Sequence, residues 1–278
     1  MAIDFTLKNQ YNIDDLVRIV ALLRSPGGCP WDKEQTHQSI RKNFIEETYE
    51  AVEAIDTGDS GLLREELGDV LLQVVFHSQM EAERNVFQFE DVVDEVCHKL
   101  IVRHPHIFAD VKADDTEQVL KNWEEIKKKQ KGFTSQSQSL MNVSAALPAL
   151  MRSTKVQQRA AKAGLDFENL QQALDSLKGE IAELEAAVWK RDSGNVREEV
   201  GDILFAAVNV SRFVRCDAEE SLTVSCNKFV ERFRLVEQMA AQEGRDLKEI
   251  PLRELDVLWE KAKQNLQKQK NLCDGISK

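Results

Sequence analysis

Four acidic residues recur in one pattern at two places in this 278-residue sequence. Glu47 and Glu50 lie three apart, as do Glu66 and Asp69. The same spacing returns in Glu180 and Glu183 and in Glu199 and Asp202, each displaced by 133 positions from its counterpart. Residues three apart share a helix face with Cβ atoms roughly 5–6 Å from each other, so two antiparallel helices can gather all four carboxylates of a set. Asp69 is followed by VLLQVVF and Asp202 by ILFAAV, apolar nearly all round, which predicts central helices of a bundle. Acids on the inward faces of such helices repel one another and lose hydration unless a cation neutralises them. All-oxygen ligands without His or Cys select a hard ion, Mg²⁺ or Mn²⁺, and Mg²⁺ keeps positions for water or substrate phosphates. The chemistry these residues predict is the handling of a polyphosphate. One acid pair at this spacing is usually a solvated helix face; two pairs repeated at one offset are harder to explain that way.

The repetition extends beyond the acids. IEETYEAVEA, REELGDVLLQVV, HKLIVRH and NWEEIKKKQ in the first half return in the same order as KGEIAELEAA, REEVGDILFAAV, NKFVERF and LWEKAKQN in the second. The basic pairs Lys99/Arg103 and Lys228/Arg232 differ by 129 positions, and Trp123 and Trp259 by 136. Ordered repetition of this kind predicts a duplicated helical unit. The basic pairs, spaced i, i+4, are suited to the far end of a polyphosphate.

The elements that must position these residues are helices. Only 12 Gly and 5 Pro occur, and apolar residues recur at three- and four-residue spacing almost throughout, so the predicted fold class is all-α. Helices are expected over 12–24, with Asn12 and Asp15 as cap and N3 acid, over 38–55, over 60–82 and over 89–103. Residues 129–139, KQKGFTSQSQS, lack an apolar period and read as a linker between a first repeat at 1–128 and a second at 140–278.

Composition narrows the partners. The net charge of −11 and the absence of a basic arm argue against nucleic-acid binding driven by counterion release. No apolar run approaches the ~20 residues of a membrane span, and no export signal is expected. Five cysteines, without a C-x-x-C pair or regular spacing, fit neither a disulfide framework nor a zinc site and point to a reduced, cytoplasmic protein.

At GCPWDKEQTH, EETYE, ELGDVLLQVVFH and RHPHIFAD the sequence resembles the MazG family of nucleoside triphosphate pyrophosphohydrolases, in its two-repeat form and over essentially the whole chain. The family pattern E-E-x-x-E, spacer, E-x-x-D is matched by Glu46, Glu47, Glu50, Glu66 and Asp69. The resemblance implies tandem bundles of four-helix type that dimerise, and Mg²⁺-dependent hydrolysis of nucleoside triphosphates to monophosphate and pyrophosphate. It implies metal ligation by Glu47, Glu50, Glu66, Asp69, Glu180, Glu183, Glu199 and Asp202, with Glu46 and Glu180 as catalytic carboxylates. It also implies nucleotide binding by Lys99, Arg103, Trp123, Lys228, Arg232 and Trp259. The second repeat departs from the pattern at Gly179, where the family has the first Glu, yet two-repeat members are associated with hydrolysis in that repeat; the balance leans slightly to the second site. Trp31 and Asp32 are further candidates for a nucleoside pocket, whereas His77, His104 and His106 read as structural. Two other functions fit the same acids: a narrower pyrophosphatase for dUTP or a phosphoribosyl nucleotide, and a module that senses Mg²⁺-nucleotide or grips a partner helix without turnover. The preferred base and sugar, the number of metal ions and the active repeat stay open at this level.

Overall fold

The computed structural model describes residues 5–109, 115, 118, 119, 122, 123, 126, 127, 130, 132 and 135–276, with side chains to 268. Every regular element among the described residues is helical. The chain divides into two compact units, Met1–Gly132 and Phe133–Lys278.

In the first unit, α1 (Ile13–Arg24) starts at a reciprocal cap: the Asn12 side chain accepts from the Asp15 amide and the Asp15 carboxylate accepts from the Asn12 amide, each at 3.0 Å. A short α2 (Pro30–Glu34) follows in the loop. Helix α3 (Arg41–Thr57) ends at Gly58, whose φ of 69° lies in the left-handed region that glycine enters without a Cβ clash. Helix α4 (Ser60–Glu83) is capped by Asp59, and α5 (Phe89–Arg103) and α6 (Pro105–Phe108) follow. Helix α4 packs against α1, α3 and α5. Val20, Ile40, Val75, Phe76 and Met80 form the core, with Leu16, Val17, Leu72 and Phe89 around it. Helix α3 starts three residues later than the apolar pattern predicts. Thr36 and Ser39 hold each other's backbone amides through their hydroxyls, at 2.9 and 3.2 Å, and this local turn takes the place of a first helical turn.

The second unit opens with α7 (Gln136–Met141), which lies partly inside the stretch read as a linker. A capping box between Ser135 and Gln138 starts it, a polar signal that an apolar period does not register. Helices α8 (Ala149–Lys162), α9 (Leu170–Lys190), α10 (Ser193–Phe213), α11 (Ala218–Gln242) and α12 (Leu252–Ile276) follow, with a 3₁₀ turn at Leu247–Glu249. Helix α10 packs against α8, α9 and α11, and α11 against α12. The unit thus reproduces the arrangement of α1, α3, α4 and α5, with α12 packed against α11. Val236, Ala240, Ile250, Leu258 and Ala262 make the core at the α11–α12 contact.

The expectation that the two acid-bearing helices are enclosed holds only in part. Leu67 and Leu71 on α4, and Val200, Leu204 and Phe205 on α10, remain exposed. Among the described residues, each unit supplies neighbours for the acidic face of its helix and leaves an apolar face exposed. His104 behaves as expected of a helix terminus, donating from Nδ1 to the Leu100 carbonyl at 2.7 Å.

Candidate metal centres

The close antiparallel partners α3 and α4 bring Glu47, Glu66 and Asp69 together, and α9 and α10 bring Glu180, Glu199 and Asp202 together. In each triad one carboxylate oxygen per residue lies within 4.8 Å of the others. Glu66 is 9% exposed and Glu199 is 7% exposed, so the innermost acid of each triad has been taken out of water. Local sequence explains the approach. Asp59 caps α4 and Asp192 caps α10, fixing where each acid-bearing helix begins after a tight turn from its partner.

The electrostatics agree with the geometry. Burial first, then the charges of Asp69 and Glu50, holds the Glu47 carboxyl above the ordinary glutamate range; burial and then Glu50 and Asp69 do the same to Glu66. In the second cluster burial, then Glu183 and Asp202, raises both Glu180 and Glu199. The neighbours acting on these four groups are other carboxylates. Such sets of closely spaced, partly desolvated carboxylate oxygens fit a hard divalent cation and offer nothing to a soft one.

A stability prediction follows with a definite sign. A glutamate whose folded pKa is raised binds more protons folded than unfolded between about 4.3, its ordinary value, and the raised value. Through that window stability falls as pH rises. Without divalent ions, the melting temperature should therefore rise as pH is lowered from neutrality toward the glutamate range, and saturating Mg²⁺ should flatten that slope. Differential scanning calorimetry in chelator and in Mg²⁺ checks it; identical pH profiles would deny cation binding. Well below that range the opposite group takes over: Arg24 holds Glu83 and His37 holds Glu81 below their ordinary values, so stability is lost as those acids protonate.

The other expected site residues fall into three groups. Glu50 and Glu183 are exposed but act on their clusters through charge, and Glu46 is exposed beside the first triad rather than within it. Arg103 and Arg232 each lie over the tryptophan of the same repeat, Arg103 at 5.3 Å from the Trp123 ring and Arg232 at 5.9 Å from the Trp259 ring. These pairs link residues the sequence had ranked only by their offsets. Lys99 is exposed and reaches Glu95 at 3.6 Å, and Lys228 is exposed. Trp31 is 60% exposed on α2.

Two features had no sequence signal. A cavity of about 420 Å³ opens between α11, the 3₁₀ turn and α12, lined by Phe229, Phe233, Leu252, Leu255, Asp256 and Trp259, large enough for a nucleoside. In the first unit His37 meets His77, Nδ1 to Nδ1, at 2.7 Å with stacked rings, and its Nε2 meets Glu81 at 2.7 Å. This contact ties the loop before α3 to α4 and agrees with a structural role for His77.

Gly179 lies within α9, and a Cβ there would meet nothing within 4 Å. Gly179→Glu is thus sterically free. It should stabilise the helix by up to about 1 kcal/mol, less any repulsion from Glu180, and leave turnover equal or higher. A large loss of turnover would mean that the second site works without that carboxylate.

The MazG nucleotide pyrophosphohydrolase domain matches residues 35–108 and again 168–236, so each match contains one acid cluster. The nucleoside triphosphate pyrophosphohydrolase/pyrophosphatase MazG of Thermotoga maritima is 42% identical over 250 residues, covering 90% of this chain and 95% of its own. A nucleoside triphosphate pyrophosphohydrolase of Escherichia coli K12 is 41% identical over 254 residues, 90% of this chain and 97% of its own. YabN of Bacillus subtilis, an uncharacterized protein, is 45% identical over 247 residues, 88% of this chain and 50% of its own.

Proposed function

The chain belongs to the MazG nucleotide pyrophosphohydrolase family, and from that premise we propose that it is a Mg²⁺-dependent hydrolase that converts nucleoside triphosphates to monophosphates and pyrophosphate, acting in the cytoplasm as a homodimer. The observation that carries this reading is the pair of triads, each with a buried glutamate among converging carboxylates. A divalent ion bound there supplies charge neutralisation to the triphosphate and makes water more acidic.

The chain's own groups then have separate tasks. Glu47, Glu50, Glu66 and Asp69 in the first repeat, and Glu180, Glu183, Glu199 and Asp202 in the second, form the cation's ligand set. A carboxylate, Glu46 in the first repeat or Glu180 in the second, orients water and accepts its proton. The water oxygen forms a bond to the α-phosphorus, the bond from that phosphorus to the α–β bridging oxygen breaks, and pyrophosphate departs with the electron pair. Lys99 and Arg103, or Lys228 and Arg232, meet the charge of the outer phosphates. Trp123 or Trp259 carries the base. The cavity beside Trp259, with Phe229 tilted against it at 5.0 Å between centroids, gives the second repeat an aromatic wall for that purpose.

The second repeat is the favoured catalytic one, since its four metal acids and its Lys228, Arg232 and Trp259 are all present despite Gly179. The exposed apolar residues of α4 and α10, with Phe229, Val230 and Phe233 on α11, support burial against a second copy. A panel of ribo- and deoxyribonucleoside triphosphates, analysed for monophosphate and pyrophosphate by chromatography, tests the substrate class. Equal products from several bases support broad housecleaning. Hydrolysis of dUTP alone replaces it with the narrower reading, and binding without turnover replaces it with a sensing module.

A further inference from the structure

Gln73 stands four residues beyond Asp69 and seven beyond Glu66 on α4, a spacing that keeps all three on one face. It is 9% exposed, and its side-chain oxygen Oε1 is buried without a hydrogen-bond partner. Long side chains on a helix lean back over the preceding turn, which for Gln73 is the turn of Asp69. A buried acceptor without a partner thus stands one helical turn from Asp69, on the helix face that carries the carboxylate oxygens of the first cluster. Buried acceptors are seldom left in that state, because the lost hydration is not recovered. What such a group of oxygens lacks in common is a cation and the water that a cation orients.

Comparison of the repeats shows that the scaffold does not require this oxygen. Asn43 lies four residues before Glu47 on α3, as Gln73 lies four beyond Asp69 on α4. At the 133-residue offset the second repeat has Ser176 and Ala206. The helix beyond Asp202 turns apolar at once, while the helix beyond Asp69 keeps a carboxamide on the acidic face.

We propose that the Gln73 carboxamide oxygen is a neutral acceptor for the hydration shell of the divalent ion held by Glu47, Glu66 and Asp69, and that it gives the first cluster a firmer hold on its ion than the second has. This inference rests on the reading of the clusters as cation sites. Partners of this outer kind typically change metal affinity by about 10- to 100-fold when removed.

The test uses the full chain carrying Glu199→Gln and Asp202→Asn, so that only the first cluster binds, with Mn²⁺ as the probe and free Mn²⁺ read by electron paramagnetic resonance. Gln73→Met keeps length and removes the acceptor. It is expected to weaken Mn²⁺ binding about tenfold and to melt no lower than its parent in chelator, since an orphaned polar group has gone. Gln73→Glu keeps an acceptor and is expected to bind Mn²⁺ at least as tightly as the parent. Unchanged Mn²⁺ affinity in Gln73→Met overturns the role of Gln73 alone, as does weaker binding by Gln73→Glu than by Gln73→Met, which would make the amide a donor to Asp69. Failure of the parent itself to bind Mn²⁺ overturns the cation reading with it.

Discussion

Glu199→Gln combined with Asp202→Asn is expected to abolish pyrophosphate release from the second site, by about a hundredfold or more, equivalent to roughly 3 kcal/mol or more of lost transition-state stabilisation. The argument is electrostatic. Glu199 is buried, and Glu183, Asp202 and Glu180 crowd it with like charge, so in the absence of a cation the site opposes its own ionisation. Neutral amides retain the shape and remove the charge that a divalent ion needs. The same change relieves repulsion in the metal-free protein, so helix content should be unchanged and the melting temperature in chelator should not fall. Lost turnover together with undiminished stability is the signature of a functional carboxylate. Unchanged pyrophosphate release would instead assign the activity to the first cluster, and the matching pair Glu66→Gln with Asp69→Asn would then be the inactivating change.

The second large effect is on stability. The Arg24 side chain is 6% exposed and makes a forked pair with Glu83 at 2.7 and 2.9 Å, while its Nη1 donates to the carbonyls of Asp32 at 2.6 Å and Gln35 at 3.2 Å. Its guanidinium also lies 5.2 Å from the Phe76 ring centroid. One side chain therefore joins the end of α1, the loop bearing α2 and Trp31, and the end of α4. Arg24→Met keeps much of the aliphatic contact but removes four hydrogen bonds, leaving Glu83 only the Gln79 amide and the Asp32 carbonyl only the Gln35 N–H. Because Glu83 is 37% exposed, the cost is placed below that of a fully buried pair, at about 2–3 kcal/mol. Urea unfolding measures it. Arg24→Lys should recover only a fraction, since an ammonium cannot fork to both carboxylate oxygens and still serve the carbonyls. A loss under about 0.5 kcal/mol, the size of an ordinary surface change, would show that the loop is held by other contacts.

The parts of the site that follow from periodicity were readable in the sequence. Glu47, Glu66 and Asp69 converge because helical spacing aligns the last two and an antiparallel turn brings up the first, and the 133-residue offset carries the same geometry to Glu180, Glu199 and Asp202. Helix α5 begins and ends where apolar spacing and Pro105 place it. Contacts made across long sequence separations were not readable. His37 and His77 are 40 residues apart and Arg24 and Glu83 are 59 apart, and nothing in local spacing couples them. Arg103 and Trp123 are 20 residues apart, and no local spacing couples the guanidinium to the ring. The apolar faces of α4 and α10 are exposed where the sequence predicts enclosure, because composition reports that a face is apolar without saying what covers it. Gln73 is illegible for a similar reason: in VLLQVVF it reads as one interruption of an apolar run, and only burial reveals an oxygen without a partner.

Release of pyrophosphate from a nucleoside triphosphate, followed in the same preparation before chelation, in excess chelator and after Mg²⁺ is restored, bears most directly on the paired carboxylate clusters. One pyrophosphate and one monophosphate per triphosphate, lost in chelator and regained with Mg²⁺, is the predicted result. Turnover that persists in chelator, or a product that is inorganic phosphate and nucleoside diphosphate, would contradict it.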